Sequence, residues 1–599
     1  MLRHALISCF RKEGVIELGE FLKKNGYTIL SSSGTANMLN SNSVSVKEIS
    51  NYTGFPEILG GRVKTLHPKI YGGILQDLEN PTHVKDMEDQ NISPISIVAV
   101  NLYPFEDNNC IENIDIGGVT LIRAAAKNYE NVLVIVDPED YKYVIENHDK
   151  ITKEDRKNFA KKAFHYISKY DIAISNFFDG EETMYRTYDK KSKLKYGCNP
   201  HQKTAGVYSI NKEELPFDIL YGNPGYINIL DGLYSWQLVN EVKETIGMSC
   251  AASFKHNAPA GVGLSVPLTD TLKKAYDVES LYSTAENKGT TIPDLTVAFI
   301  RARNCDPLSS FGDFIALSDV VDVDTAKLIK REVSDGVIAP GYTDEAFDIL
   351  KTKKGGSYII LQAKQKYKNQ QDIEIKEVNG TAVVQSVNNS FVNDGYFTNI
   401  PTKSKNITQD IKRDLTLGNI TLKYTPSNSV AAAIDGQVIG IGAGQQNRID
   451  CVNIVKRKIN NWFLRQHPLV LEYLKFFHPI VRRQDRVNTI MTIITKECEE
   501  PKYSLEWLNF TKQMVGNYKP SHFTKEMKNT FISNMRLRTN ISLVSDAFFP
   551  FSDSIIACNE MGASHILQPG GSIMDSKVIE ACDNFGICMA LSGIRVFTH

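Results

Sequence analysis

An imbalance of charge is the first thing missing from this 599-residue chain: 68 Lys and Arg stand against 69 Asp and Glu, a net charge of -1. Proteins that bind nucleic acid normally carry a basic excess or a basic face, so no nucleic-acid partner is expected. A pocket for a small anion needs only a few cations and stays open. The ten cysteines contain no C-x-x-C pair, no zinc spacing and no disulfide framework, and scattered thiols suit a cytosolic compartment. No apolar run approaches the ~20 residues that span a bilayer, so no membrane partner is expected. The opening Met1-Leu-Arg-His-Ala-Leu-Ile-Ser8 enters a strand-like run without the pattern of a secretory leader. What is present in quantity is length. The chain exceeds one hydrophobic core, and 42% apolar with 23% charged residues is ordinary globular composition, so two or more domains are expected.

The first part alternates strand and helix. Ala5–Phe10, Tyr27–Ser31, Ile95–Leu102 and Val132–Val136 read as strands. Val15, Leu18, Phe21 and Leu22 share one helical face, Val119–Tyr129 reads as a helix, and Pro138–Asn147 as another with Asp137 as N-cap. This alternation predicts a doubly wound, mostly parallel sheet, with ligands at the carboxyl ends of its strands. A long helix follows, with Phe159, Ala163, Phe164, Ile167 and Tyr170 on one face. The polar stretch after Phe178 then suggests a boundary, giving domains 1–190 and 191–599. The second is long enough for two related α/β subdomains. Residues 496–540, rich in Lys, Glu and Asn, read as a solvated peripheral segment.

Chemistry-bearing residues cluster where the first domain's strands end. Ser31-Ser-Ser-Gly-Thr-Ala36 aims amides and hydroxyls at a helix N-terminus, a sound phosphate site that is also an ordinary Ser/Gly turn. Gly60-Gly-Arg-Val-Lys-Thr-Leu-His-Pro68 packs Arg62, Lys64, Thr65 and His67 together but lacks Walker A order. Composition alone reads it equally as an exposed basic loop. Asn101-Leu-Tyr-Pro-Phe105 closes the strongest strand, and Asp115 precedes Gly117-Gly118 with Lys127 in the helix beyond. Together Lys64, Tyr103, Asp115 and Lys127 would make a proton-transfer and charge-stabilising set.

These segments, with Ile114-Asp-Ile-Gly-Gly-Val-Thr-Leu-Ile-Arg-Ala-Ala-Ala-Lys-Asn128, resemble the IMP cyclohydrolase domain of the AICAR transformylase/IMP cyclohydrolase family, whose fold is similar to methylglyoxal synthase. The resemblance implies closure of the purine ring of FAICAR: an amide nitrogen attacks the formyl carbon and water leaves, giving IMP. Lys64, Tyr103, Asp115 and Lys127 would carry the chemistry. Lys12, Ser32, Gly34, Thr35, Arg62, Thr65, Asn101 and Gly117 would surround the nucleotide. The family pattern Ser-x-Ser-Asp-Lys reads Ser8-Cys-Phe-Arg-Lys12 here, so Phe10 and Arg11 replace a hydroxyl and a carboxylate, and Ser33 replaces a glycine. The expectation is an altered phosphate end, with Arg11 offering a new cation, and surviving ring closure.

In the second domain, Ala251-Ala-Ser-Phe-Lys-His-Asn-Ala-Pro-Ala-Gly-Val-Gly263 sets Lys255 beside His256. Histidine is suited to general-base work near neutrality, and an ammonium to stabilising an oxyanion. Neighbours on a strand face opposite ways, so a bend is required for both to serve one substrate. Gly440-Ile-Gly-Ala-Gly-Gln-Gln-Asn-Arg448 lacks the dinucleotide spacing, which excludes NAD. With Lys195-Tyr-Gly-Cys-Asn-Pro-His-Gln202 and Ser545-Asp-Ala-Phe-Phe-Pro-Phe551, these runs resemble AICAR transformylase, built from cytidine-deaminase-like units. The deaminase zinc signature is missing, and no metal is expected. The resemblance implies that the AICAR amine attacks the formyl carbon of 10-formyltetrahydrofolate, with His256 taking the amine proton and Lys255 stabilising the oxyanion. Lys195, Tyr196, Gly312, Asp335, Asn428, Arg448, Phe548, Arg595 and Phe597 would contact substrate. It also implies a homodimer with transformylase sites at the interface. Other readings are a working transformylase with an impaired cyclohydrolase, a non-catalytic nucleotide-binding module, and methylglyoxal-synthase-like activity.

Overall fold

A computed structural model describes residues 3–180, 182–210, 214–279, 291–364, 372–496, 505–516 and 518–599. Cys498 and parts of the 496–540 segment (497–504 and 517) lie outside the described residues. The chain forms two compact units, Met1–Thr187 and Tyr188–His599.

The first unit runs β1 (Arg3–Cys9), α1 (Val15–Lys24), β2 (Tyr27–Ser31), α2 (Ser33–Ser41), β3 (Val46–Glu48), α3 (Ile49–Thr53), α4 (Pro68–Leu75), α5 (Pro81–Asp89), β4 (Ile95–Asn101), α6 (Gly117–Lys127), β5 (Leu133–Ile135), α7 (Asp140–Asn147) and α8 (Lys153–Asp179). Its strands pair in parallel in the order β3-β2-β1-β4-β5. Alternate residues feed opposite cores. Leu6, Val98 and Val100 pack with residues of α4, α6 and α8, while Ala5, Ile7, Ile97 and Ala99 pack with α1 and α7. A sheet buried on both faces needs this apolar continuity, and the fold is doubly wound as expected. Strand order reverses between β1 and β4, which opens a crevice beyond their carboxyl ends.

Two local expectations fail in this unit. Asp137 does not cap α7: Glu139 is the N-cap residue, and Asp137 Oδ1 instead accepts the Glu139 N–H at 3.2 Å before the helix begins. Phe164 is not on the buried face of α8 but is 40% exposed, because one residue past Ala163 turns it about 100° away from the apolar stripe.

The second unit opens with the antiparallel pair β6 (Tyr188–Lys193) and β7 (Gly206–Ile210). Its main sheet contains β8 (Phe217–Tyr221), β9 (Cys250–Lys255), β10 (Ala258–Leu264), β11 (Asp313–Leu317), β12 (Ser334–Ala339) and β13 (Ile359–Ala363). A separate hairpin, β14 (Ile373–Val378) and β15 (Thr381–Ser386), follows. The sheet then takes in β16 (Val430–Ile434), β17 (Gln437–Gly442), β18 (Ile541–Ser545), β19 (Ala563–Gln568) and β20 (Cys588–Leu591). The order is β20-β19-β18-β16-β17-β10-β9-β11-β12-β13-β8. The same wiring occurs twice: a hairpin, a strand antiparallel to its first member, then two more strands parallel to that one. The halves meet where β10 pairs with β17.

The glycine runs in β10 and β17 are explained by this repeat. A Cβ on Gly261 would lie 2.1 Å from Ala302 O, and one on Gly442 would lie 2.2 Å from Cys451 O. In each half a helix (Asp294–Arg303 or Arg448–Leu464) lies directly on the backbone of the hairpin's second strand, and only glycine permits that approach. The expectation of a solvated segment at 496–540 is overturned. Trp507, Phe510, Phe523 and Ile532 are buried in the core on one face of the sheet, which gathers helices inserted between β17 and β18.

Candidate active sites in the two units

In the first unit, β1, β2 and β4 deliver their ends to the crevice. Lys12 Nζ donates to Thr35 Oγ1 at 2.6 Å and to the Cys9 carbonyl, and burial pushes its ammonium below its ordinary pKa. Ser32 is the N-cap residue of α2, and Ser32 Oγ lies 3.3 Å from Ser8 Oγ. Gly34 lies in the first turn of that helix, with nothing within 4 Å of where a Cβ would stand. Asn101 accepts the Arg11 N–H at 2.7 Å and donates to the Arg11 carbonyl at 3.1 Å, so its buried amide fixes the loop after β1. Arg11 itself faces Glu13 (3.8 Å) and Asp137 (3.9 Å). Its side chain is mostly exposed there. Phe10 packs edge-on against Tyr103, centroids 5.3 Å apart, and both rings are nearly half exposed.

The basic loop meets the start of α6. A Cβ on Gly117 would come within 2.7 Å of the buried Thr65 Oγ1. Asp115 Oδ1 accepts the Gly118 N–H at 2.6 Å, and burial pushes the Asp115 carboxyl above its ordinary range. Lys64 Nζ lies 3.6 Å from Glu57, which also accepts from Ser33 Oγ at 3.4 Å, while Arg62 pairs with Glu112. Lys127 does not join this group. It is exposed at the far end of α6, and the ten-residue rise from Gly117 amounts to ~15 Å.

Sequence reasoning missed three residues here. Tyr170 OH accepts the Asp115 N–H at 2.7 Å and donates to the Asn113 carbonyl at 2.8 Å. Tyr166 OH accepts the Leu102 N–H at 3.0 Å, so two residues one turn apart on α8 hold both loops of the crevice. Tyr71 OH lies 2.6 Å from Thr120 Oγ1, and burial raises its phenol. The helical spacing of the two α8 tyrosines was the available signal.

In the second unit, Lys255 ends β9 and pairs with Ala258, leaving His256 and Asn257 as a two-residue hairpin loop. Both have φ of 59°, the left-handed pair of a type I′ turn and an uncommon conformation for histidine. This is the bend the sequence required. Lys255 Nζ donates to the Phe311 carbonyl at 2.6 Å and lies 4.0 Å from where a Gly312 Cβ would stand. Lys255 and His256 line a cavity of about 680 Å³ together with Asp306, Arg457, Lys458 and Trp462. Asp335, at the start of β12, pairs with Lys354.

A second cluster forms around the end of the chain. Thr598 and Ser427 exchange bonds, N–H to Oγ at 3.1 Å one way and N–H to carbonyl at 3.0 Å the other. These carry Arg595 and Phe597 to the Asn428 segment, with the Arg595 guanidinium 4.6 Å from the Phe597 ring centroid. Arg448 is buried, donating to Asn428 Oδ1 at 3.0 Å and pairing with the fully buried Asp546. Phe548 is 39% exposed beside a fully buried Phe549. Lys195 and Tyr196 lie between β6 and β7, the ammonium 5.8 Å from the ring centroid. Among the described residues no group of three or more His, Cys, Asp or Glu is arranged to hold a metal, and no helix is long and apolar enough to cross a membrane.

A doubly wound unit with a basic and carboxylate crevice, joined in sequence to a duplicated α/β unit with a Lys–His hairpin lining a cavity, defines a two-unit α/β protein with a candidate site in each unit. Known proteins make that class particular. Residues 14–135 match the family model described as an MGS-like domain, and residues 125–458 match the one described as the AICARFT/IMPCHase bienzyme. The chain is 34% identical to the bifunctional purine biosynthesis protein PurH of Clostridium botulinum (strain Okra, type B1), with 100% of each chain covered. The same figures hold for the protein of that name from Clostridium acetobutylicum. A solved structure titled "Crystal structure of ForH" is 30% identical, covering 30% of this chain and 100% of its own, with a TM-score of 0.28. The chain belongs to the AICARFT/IMPCHase bienzyme family.

Proposed function

We propose that the two reactions of this bifunctional purine-biosynthesis enzyme, AICAR transformylase and IMP cyclohydrolase, are divided between its units. In the second unit the AICAR amine attacks the formyl carbon of 10-formyltetrahydrofolate, His256 takes the amine proton, and Lys255 stabilises the oxyanion before tetrahydrofolate leaves. The observation that carries this reading is the left-handed His256-Asn257 turn, which lets two sequence neighbours line one cavity. In the first unit Lys12, Ser32, Gly34 and Thr35 receive the phosphate, and Lys64, Tyr103 and Asp115 serve ring closure of FAICAR to IMP. A partly buried carboxyl with a raised pKa supports proton exchange at Asp115. Lys127, at the other end of α6, is left out of a single chain's set.

A steady-state assay with AICAR and 10-formyltetrahydrofolate, following FAICAR and IMP separately, tests both halves. Both products are expected. FAICAR accumulating without IMP, also when synthetic FAICAR is supplied, would favour an impaired cyclohydrolase, a reading motivated by Phe10 against Tyr103. The repeated topology supports two cytidine-deaminase-like subdomains within residues 191–599. A cytosolic homodimer with shared transformylase sites follows from the family resemblance, and sedimentation of the full chain tests the dimer.

Lys195 stands where an arginine is common. A guanidinium offers phosphate a bidentate fork that an ammonium cannot. Lys195→Arg is therefore expected to lower the KM for AICAR several-fold, on the order of 1 kcal/mol, with kcat little changed. An unchanged or higher KM would remove Lys195 from the phosphate site.

A further inference from the structure

We propose that Asp231 is a positioning residue of the transformylase centre, tethering the His256-Asn257 turn and supplying the counter-charge for a protonated His256. The proposal rests on the reading of His256 as the base.

Asp231 lies on α9 (Tyr226–Ile246), far from the hairpin in sequence, and is 5% exposed. Its Oδ1 accepts the Asn257 N–H at 2.7 Å. Among the described residues it is the one side-chain acceptor bonded to the backbone of that turn, and a left-handed histidine needs such support. The carboxyl has no lysine or arginine in ion-pair range among the described residues. The charges that face it are His256 in the turn, which favours its ionised form, and Asp335 and Asp313 on the neighbouring strands, which oppose it. Those two carboxylates already have cations, Lys354 and Arg303 respectively. Burial pushes the Asp231 carboxyl up to about 6.

A buried carboxyl that holds the turn's backbone and has no Lys or Arg among the described residues to pair with is poorly placed for stability and well placed to act on the residues of that turn. When His256 takes the amine proton, the new positive charge forms one residue from the backbone amide that a buried carboxylate holds, and that carboxylate favours it. The proton goes from the substrate nitrogen to the imidazole. Asp231 touches neither substrate nor the reacting atoms and acts through the turn.

The linkage has a definite sign. A carboxyl whose folded pKa is raised contributes stability that is present below its unfolded pKa and lost as pH rises through about 6. Replacing it with a neutral isostere removes that loss, so Asp231→Asn is expected to melt no lower than the wild type at pH 8.

The test uses the full chain with Asp231→Asn, which keeps an acceptor for the Asn257 N–H, Asp231→Ala, which removes it, and His256→Asn, which suits a left-handed turn. The second unit's unfolding transition serves as the control for folding of each variant, and the cyclohydrolase reaction of the same molecules reports on the first unit. Asp231→Asn is expected to lower transformylase kcat about 10–100-fold, the scale on which residues behind a functional group act. The KM for AICAR should hold, the acid limb of the pH–rate profile should move to lower pH, and FAICAR closure should be untouched. Asp231→Ala should lose more, and Asp231→Asn should add nothing in the His256→Asn background. Wild-type kcat and pH profile in Asp231→Asn overturn the proposal alone when His256→Asn is inactive. Wild-type turnover in His256→Asn overturns the base assignment and the proposal with it. An equal loss from Asp231→Asn in both backgrounds also overturns it, because Asp231 would then not act through His256.

Discussion

Replacing His256 is expected to lower transformylase turnover about 10²–10⁴-fold, or roughly 3–5 kcal/mol of barrier, while FAICAR still closes to IMP at the wild-type rate. Two substitutions separate the possible causes. His256→Ala removes the imidazole but leaves a residue that tolerates φ of 59° poorly, so it also disturbs the turn. His256→Asn removes the base while keeping a side chain at home in left-handed backbone. If the imidazole is the proton acceptor, both variants should lose turnover on this scale, His256→Ala at least as much as His256→Asn, and in His256→Asn the KM for AICAR should change less than kcat. An active His256→Asn beside an inactive His256→Ala would mean that the histidine only shapes the hairpin. Lys255 would then be the sole candidate for the chemistry there. The intact cyclohydrolase reaction shows in the same tube that the first unit is folded.

How much of this was legible in the sequence depends on the range over which each interaction acts. The doubly wound first unit was visible because alternating apolar runs and helical stripes are local patterns, and both faces of β1 and β4 bury what those patterns predict. The Lys255-His256 pair was visible as a motif, and the left-handed turn that makes it useful was visible only as a requirement. Asp231 was invisible because it reads as one of several polar residues along a mixed helix, and only the fold brings that helix to the hairpin. Grouping Lys127 with Asp115 followed their nearness in one motif, but the residues between them form a helix and hold them apart. The 496–540 segment misled in the opposite direction. Its abundant Lys, Glu and Asn suggested full solvation, whereas Trp507 and Phe510 lie three apart on one helix and bury together. Spacing, not average composition, decides which face of a helix is covered.

Arg448→Met is expected to destabilise the second unit by about 3–5 kcal/mol, because it strands a buried charge. Asp546 is fully buried and holds the Ser429 N–H at 3.0 Å and the Ser429 hydroxyl at 2.9 Å as well as Arg448. Methionine fills much of the volume of arginine but leaves that carboxylate without its cation. Adding Asp546→Asn removes the charge and keeps an acceptor for Ser429, so the double variant should recover a large part of the loss. Such recovery is the signature of direct coupling between neighbours. Urea unfolding of the full chain, monitored through the second unit's transition and through transformylase activity, measures both effects. The arrangement also separates a framework role from a substrate contact. If Arg448 serves mainly to hold Asn428 Oδ1 at 3.0 Å, stability and AICAR binding should fall together in the single variant and return together in the double. If the guanidinium instead turns to the substrate, Arg448→Met should stay within about 0.5 kcal/mol of the wild type, the range of surface changes, while the KM for AICAR rises. The buried pair favours the framework role, since a guanidinium that left Asp546 for substrate would strand the same carboxylate at every turnover.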